Sequence, residues 1–248
     1  MWGPLGGYLA ALAYQASSEV IPNMPVTSFY CQYVSAARFD EVEIEVDILK
    51  SGRTTVTSRV DMRQRNKLIL TALLTHVQTE SQFEHEHHEK PQVKAPHHYL
   101  DIRELVAPAS EPVPLWDSVT NHPVNWVAQD DRPAVPEYQA WFRFSPEPVF
   151  EADSLNAARV VLLSDITTFP TALRLYNPPP AAYAPNLDLN VQLHNLGKSC
   201  WGTEWIFSET KSEISSSGVL SGRIQLWSED MELLASATSQ CLWIPLKR

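Results

Sequence analysis

A carboxylate set into an apolar helix must find hydrogen-bond donors or remain protonated, because moving an unpaired charge out of water is costly. Asp165 is such a residue. Between Ala157 and Leu173 the other residues are mostly apolar or hydroxylic, and Asp165 is the only carboxylate in that body. The chemistry open to it is activation of a water as general base, with a pKa set by burial and by the donors it meets. The plain alternative for a lone helical Asp is a cap or an ion pair at an interface.

Other constellations carry less. His85, His87, His88, His97 and His98 crowd one stretch, where Glu84 to Glu89 reads E-H-E-H-H-E. Such a run can bind a transition metal, but a solvated, flexible loop is the expected role. His85-Glu86 is followed by Glu89 where a zinc protease needs its second histidine, and no G-x-S-x-G elbow exists for a serine hydrolase. His194, ending a strand near Asp188, is a candidate for a dehydratase-like histidine. Cys31, Cys200 and Cys241 are odd in number and widely spaced, without C-x-x-C, which argues against a disulfide framework or a zinc site and for a reducing compartment. Cys31 and Cys241 fall on predicted strands, where buried thiols are the ordinary case.

Composition narrows the classes further. Eight glycines in 248 residues, with no G-x-G-x-x-G and no Walker loop, argue against a glycine-built phosphate cradle. With 19 Lys+Arg against 29 Asp+Glu the net charge is -10, and no basic cluster interrupts it. Neither a nucleic-acid backbone nor an anionic membrane surface is an expected partner. The apolar stretch from Met1 to Ala16 lacks a basic flank, contains Pro4, Gly6 and Gly7, and falls short of the ~20 residues of a membrane span. It reads as a buried helix whose small residues allow close packing on a sheet. The end, Leu246-Lys247-Arg248, matches no peroxisomal or reticulum address, so a cytoplasmic location is expected.

The elements that must position Asp165 follow from periodicity. After the first helix, alternation at period two runs to Glu80 and predicts four strands: Val26 to Ser35, Glu41 to Ile48, Arg53 to Gln64 and Lys67 to Glu80. In the second of these, Val42, Ile44, Val46 and Ile48 share one face and the acidic residues the other. Ser51-Gly52 and Arg65-Asn66 are the predicted turns. From Ser81 to Val135 the pattern stops, and prolines, histidines and charges predict a linker without elements of its own. The order then repeats, with a strand near Tyr138 to Phe144, a helix near Leu155 to Leu175, and strands over Asn186 to His194, Gly202 to Thr210, Gly218 to Trp227 and Leu233 to Trp243. Trp201, Trp205, Trp227 and Trp243 read as core before acyl-channel lining. The expected organisation is a module at 1–80, a linker at 81–135 and a second module at 136–248. The fold class is α+β, two helix-wrapped antiparallel sheets able to join edge to edge.

Helix then meander, twice in one chain, resembles the double-hotdog acyl-CoA thioesterases, the acyl-CoA thioesterase II type and its thioesterase-like relatives. The resemblance is carried by Gly3-Pro4-Leu5-Gly6-Gly7-Tyr8-Leu9, Leu163-Ser164-Asp165, Asn186-Leu187-Asp188-Leu189 and Ser239-Gln240. Each motif is short; their order and spacing cover nearly the whole chain. The family's site resembles an Asp, a Thr or Ser, and a Gln that hold the attacking water, all from the second module. Carried over, these imply Asp165, Asn186 and Gln240.

Asn186 stands where the family has Thr or Ser, which implies slower turnover or altered specificity. The family also has a strand and more chain before its first helix, whereas this sequence opens at Met1-Trp2, so two readings stay open: a first module trimmed of that strand, or one whose start lies elsewhere. The oxyanion is expected at the first helix's N-terminus, near Gly7 and Tyr8, where free N–H groups would point outward. The implied function is hydrolysis of an acyl thioester on coenzyme A or a carrier protein, with no metal or redox cofactor and with a homo-oligomeric assembly. Two alternatives stay open: a pathway-specific relative that releases or modifies a polyketide-like acyl chain, and a non-catalytic acyl-binding or assembly protein.

Overall fold

A computed structural model describes residues 3–78, 85–105, 115–125, 135–176 and 182–245. Met1-Trp2, Glu84 of the acidic and histidine-rich run, and the end Leu246-Lys247-Arg248 lie outside the described residues.

The first helix, α1 (Gly6–Val20), starts later than expected and runs further. Pro4 lacks an N–H and holds its neighbours extended, and Gly3 lies so close to the loop after the first strand that a Cβ would come within 2.4 Å of the Ala37 carbonyl. The meander that follows is β1 (Val26–Tyr33), β2 (Glu43–Ser51), β3 (Thr55–Gln64) and β4 (Lys67–Val77). In β3 alternation becomes burial, with Val56, Ser58, Val60 and Met62 all facing the core. Arg65 and Asn66 both take positive φ, 51° and 63°, as a two-residue hairpin turn requires.

The stretch expected to be a linker without elements contains α2 (Ile102–Leu105), α3 (Leu115–Ser118) and a strand, β5 (Val119–Pro123). This corrects the reading from periodicity. The inward positions of β5 are Val119, Asn121 and Pro123, and a buried Asn and a Pro do not register as strand signals. Asn121 is satisfied there by the Tyr138 hydroxyl, 2.9 Å from its Nδ2. The histidine-rich stretch is also docked rather than free. His88 packs edge-on to Trp227 with ring centroids 4.9 Å apart, Lys90 bridges Glu232 at 2.7 Å, and the Lys94 carbonyl accepts from Trp141 Nε1 at 3.0 Å. Beneath it Trp141, Phe207 and Trp227 form a buried aromatic cluster apart from the main core. Among the described residues no group of His, Cys, Asp or Glu is placed to hold a metal ion, and no helix is long and apolar enough to cross a membrane.

The second meander comprises β6 (Glu137–Phe144), α4 (Asp153–Ile166), α5 (Thr168–Leu173), β7 (Ala182–Tyr183), β8 (Asn186–Leu193), β9 (Trp205–Lys211), β10 (Ser215–Ser216), β11 (Val219–Trp227), β12 (Leu233–Leu242) and β13 (Ile244–Pro245). The single helix expected to Leu175 is two. Pro170 cannot donate to the Ile166 carbonyl and its ring would collide with it, so α4 ends at Ile166. The new helix start is pinned to the sheet, with Thr168 Oγ1 2.6 Å from Ser239 Oγ and Thr210 Oγ1 donating to Thr167 Oγ1 at 2.7 Å.

The strands form one large sheet in the order β2-β3-β4-β1-β8-β12-β11-β9-β6-β5, with β10 on β11, while β7 and β13 pair separately. The two meanders join where β1 meets β8, with Tyr30 opposite Asn190 and Cys31 opposite Leu189. Residues of α1 and α4 enter one core with the inner faces of both halves. Within the first half, α1 is tied to its sheet by a buried polar triplet. Ser17 Oγ lies 2.7 Å from Ser58 Oγ and 2.8 Å from His76 Nε2, and His76 Nδ1 lies 2.9 Å from the Met24 carbonyl. A carbonyl can only accept, so Nδ1 carries the proton, Nε2 accepts from Ser17, and Ser17 accepts from Ser58.

Burial holds the His76 imidazole below its ordinary pKa. The folded state therefore keeps His76 neutral while the unfolded chain takes the proton first, so this contribution to stability is complete above ~6.5 and declines as pH falls below it. Urea unfolding from pH 8 to pH 5 is expected to show a smaller loss for His76→Gln than for the wild type. Ser17→Ala, which strands two buried polar groups, is expected to cost about 1–3 kcal/mol at pH 8 in the same experiment.

Candidate active site

Asp165 lies in the last turn of α4, is 5% exposed, and points at the start of α1. Helix α1 has Leu5 at its N-cap position and no side-chain cap of its own. The Gly7 N–H, one of the first-turn donors without an intrahelical partner, donates to Asp165 Oδ2 at 2.6 Å. Two more donors meet the other oxygen. The Tyr33 hydroxyl donates to Asp165 Oδ1 at 3.2 Å, and Asn186 Nδ2 donates to the same atom.

Close approach of the two helices depends on glycine. A Cβ on Gly7 would come within 2.4 Å of the Leu162 carbonyl and 2.8 Å of Asp165 Cβ. A Cβ on Gly6 would come within 2.8 Å of Asn186 Nδ2 and 3.1 Å of the Tyr33 ring. The first contact is with backbone and closer than real Cβ atoms come, so a side chain at Gly7 would push α1 away from α4, while one at Gly6 would displace the Asn186 amide and crowd the Tyr33 ring.

Asn186 reaches Asp165 because β8 is bulged. Ser239 pairs with Leu189 and Gln240 with Asp188, but the next partner of Cys241 is Asn186, leaving Leu187 unmatched. A one-residue bulge changes which face a side chain takes. Asn186 therefore shares the inner face with buried Cys241 instead of the outer face with Asp188.

Gln240 is the correction. It neighbours buried Ser239 and Cys241, so it lies on the outer face. Its Nε2 donates to Ser221 Oγ at 3.3 Å and its backbone N–H to Asp188 Oδ1 at 3.0 Å. It lines a groove of about 400 Å³ with Asp188, Ser221, Arg223 and Thr238. Among the described residues no hydrogen bond joins it to Asp165, and the inward neighbour Ser239 is engaged with Thr168. The expectation for Gly7 and Tyr8 also changes. The Gly7 amide points into the molecule at Asp165 rather than outward, and the Tyr8 side chain is half exposed. His194 bonds to Ser236 at 3.1 Å, outside this cluster.

Tyr33 is the member that sequence reasoning missed. It continues the inward face of β1 after Phe29 and Cys31, so alternation marks its side but not its partner.

Burial dominates the electrostatics and pushes the Asp165 carboxyl up to about 6, while the bonds from Gly7, Tyr33 and Asn186 pull it back down. Among the described residues no cation is a partner of Asp165, so the ionised form is held by neutral donors and by the positive end of α1. The nearby thiols are poor rivals as nucleophiles, since burial pushes Cys241 up to about 12 and Cys31 higher still. A carboxylate has about four acceptor positions, and donors among the described residues fill three of them.

The comparisons with known proteins agree with this architecture. Residues 1–77 match the acyl-CoA thioesterase N-terminal domain, and residues 86–243 match the acyl-CoA thioesterase C-terminal domain. The chain belongs to the acyl-CoA thioesterase family, with the hotdog fold. The second match begins before β5, so it takes in most of the stretch expected to be a linker.

The fold is similar to that of a conserved hot dog fold protein from Alicyclobacillus acidocaldarius, with TM-score 0.83 and 19% identity over 99% of this chain and 89% of that one. It is similar to acyl-CoA thioesterase II TesB2 from Mycobacterium marinum, with TM-score 0.78 and 17% identity over 98% and 90%. A tesB protein of Mycobacterium avium subs paratuberculosis gives 0.76 and 18% over 98% and 88%. At these identities the likeness is one of fold. A search of the curated proteins found no match.

Alanine is a better helix former than glycine by up to ~1 kcal/mol, but the contact with Leu162 decides the sign at Gly7. Gly7→Ala is expected to lower stability by about 1–3 kcal/mol in thermal unfolding, whereas Tyr8→Ala, at an exposed position, is expected to leave it nearly unchanged.

Proposed function

We propose that the protein hydrolyses acyl thioesters carried on coenzyme A or on a carrier protein's phosphopantetheine, with Asp165 as general base. The observation that carries this reading is a buried carboxylate at the junction of two helices, held ionisable by three neutral donors, with no fourth donor to it among the described residues. A water bound there gives its proton to Asp165 as its oxygen attacks the thioester carbonyl. The tetrahedral intermediate collapses with cleavage of the C–S bond, and the departing thiolate takes the proton back. The products are a carboxylic acid and a thiol. A base that titrates at about 6 is mostly ionised at neutral pH and still basic enough to accept a proton in the transition state.

In this reading Asn186 orients the base by donating to Oδ1, a role that needs an N–H or O–H and no proton relay. Gln240 has no part in it. The family membership supports acyl-thioester hydrolysis as the reaction class.

One observation favours a second reading. The Gly7 amide, expected to bind the oxyanion, is committed to Asp165. A carboxylate that serves only to cap α1 would make the same bond, and the protein would then bind acyl thioesters without cleaving them.

Hydrolysis of a panel of acyl-CoA esters separates the two. Asp165→Asn is expected to lower kcat/KM by at least ~10²-fold, Gln240→Ala to leave it unchanged, and the wild-type profile to lose activity as pH falls through about 6. Full activity in Asp165→Asn removes the residue from the chemistry. Binding without turnover in the wild type, with turnover created by Asn186→Thr, establishes the second reading instead.

A further inference from the structure

Asp165 presents two oxygens that are not equivalent, and the difference comes from a residue no motif marks. We propose that Tyr33 is a positioning residue that, together with Asn186, fills the acceptor positions of Asp165 Oδ1 and leaves Oδ2 as the oxygen that takes the proton from water. The inference rests on the hydrolytic reading above and assigns the proton to one atom within it.

Tyr33 and Asn186 both donate to Oδ1, whereas Oδ2 accepts only the Gly7 N–H among the described residues. An sp² oxygen has two lone pairs, so Oδ1 is saturated and the open position is on Oδ2. The two donors arrive from different halves of the sheet, Tyr33 from the end of β1 and Asn186 from the bulged start of β8. Gly6 is what lets them converge, since its missing Cβ would meet both the Tyr33 ring and Asn186 Nδ2. Burial pushes the Tyr33 phenol well above its ordinary value, so it keeps its proton and serves as a donor across the working range. A tyrosine that merely filled the core would not need its hydroxyl on the carboxylate, and phenylalanine would serve as well.

The test changes the donor while keeping the ring. Tyr33→Phe removes one hydrogen bond to the ionised form, so the acid limb of the kcat/KM profile is expected to move up by about one unit with KM unchanged. Replacing Tyr33 by monofluorotyrosine makes the phenol a stronger donor at almost the same size, and the limb is expected to move down. A carboxyl-carbon NMR titration of Asp165 should show the same opposite shifts without relying on turnover. It also decides the matter through the fluorinated protein if Tyr33→Phe does not fold.

Asp165 titrating at one pH in all the proteins, or a change confined to KM, overturns the role of Tyr33. That result with Asp165→Asn inactive leaves the hydrolytic reading intact. Full activity in Asp165→Asn sinks the hydrolytic reading, and the proton assignment to Oδ2 with it.

Discussion

The hydrogen bond from the Gly7 amide to Asp165 joins two requirements that are usually met separately. A helix start needs an acceptor for its free N–H groups, and a buried carboxylate needs donors. Here α1 has no local cap, and Asp165 on α4 meets no cation among the described residues, so each supplies what the other lacks. The helix start, the docking of α1 on α4 and the ionisation of the candidate base are therefore one constraint. The positive end of α1 and three hydrogen bonds favour the charged form, burial disfavours it, and burial wins by enough to leave the carboxyl near 6.

The surrounding structure is arranged so that this contact can form. Glycines at two successive positions remove the side chains that would hold the helices apart and crowd Asn186 and Tyr33. The bulge in β8 turns Asn186 inward, and Pro170 stops α4 immediately after its acid. Beyond the break, hydroxyls of Thr167 and Thr168 bond to Thr210 and Ser239 and fix the helix end to two strands. Buried hydroxyl pairs recur at Ser17, Ser58 and His76, where α1 meets its own sheet. Directional bonds of this kind add little net stability each, about 1 kcal/mol, but they define where a helix sits along a strand. A catalytic geometry depends on that definition more than on the total free energy.

The histidine-rich stretch has a different role. Its backbone and side chains cover the Trp141, Phe207 and Trp227 cluster, which would otherwise leave aromatic surface exposed to water. Together with β5 at the edge, this segment belongs physically to the second half of the sheet.

The amino-acid sequence alone determined what local rules decide. Alternation placed the strands and showed that Val56, Ser58, Val60 and Met62 share a face. Asp165 stood out as the only carboxylate between Ala157 and Leu173, and the order of helix and meander, repeated, set the fold class. Pro170 carried the signal for the helix break, and β5 was hidden because its inward residues are an Asn and a Pro. Only tertiary structure decided which groups meet. Gln240 and Ser239 differ by one position and face opposite sides, and Asn186 turns inward through a single unmatched residue. Tyr33 finds Asp165 because two sheets join at β1 and β8. Strand register and helix contact are set between segments far apart in the chain, so no local pattern contains them.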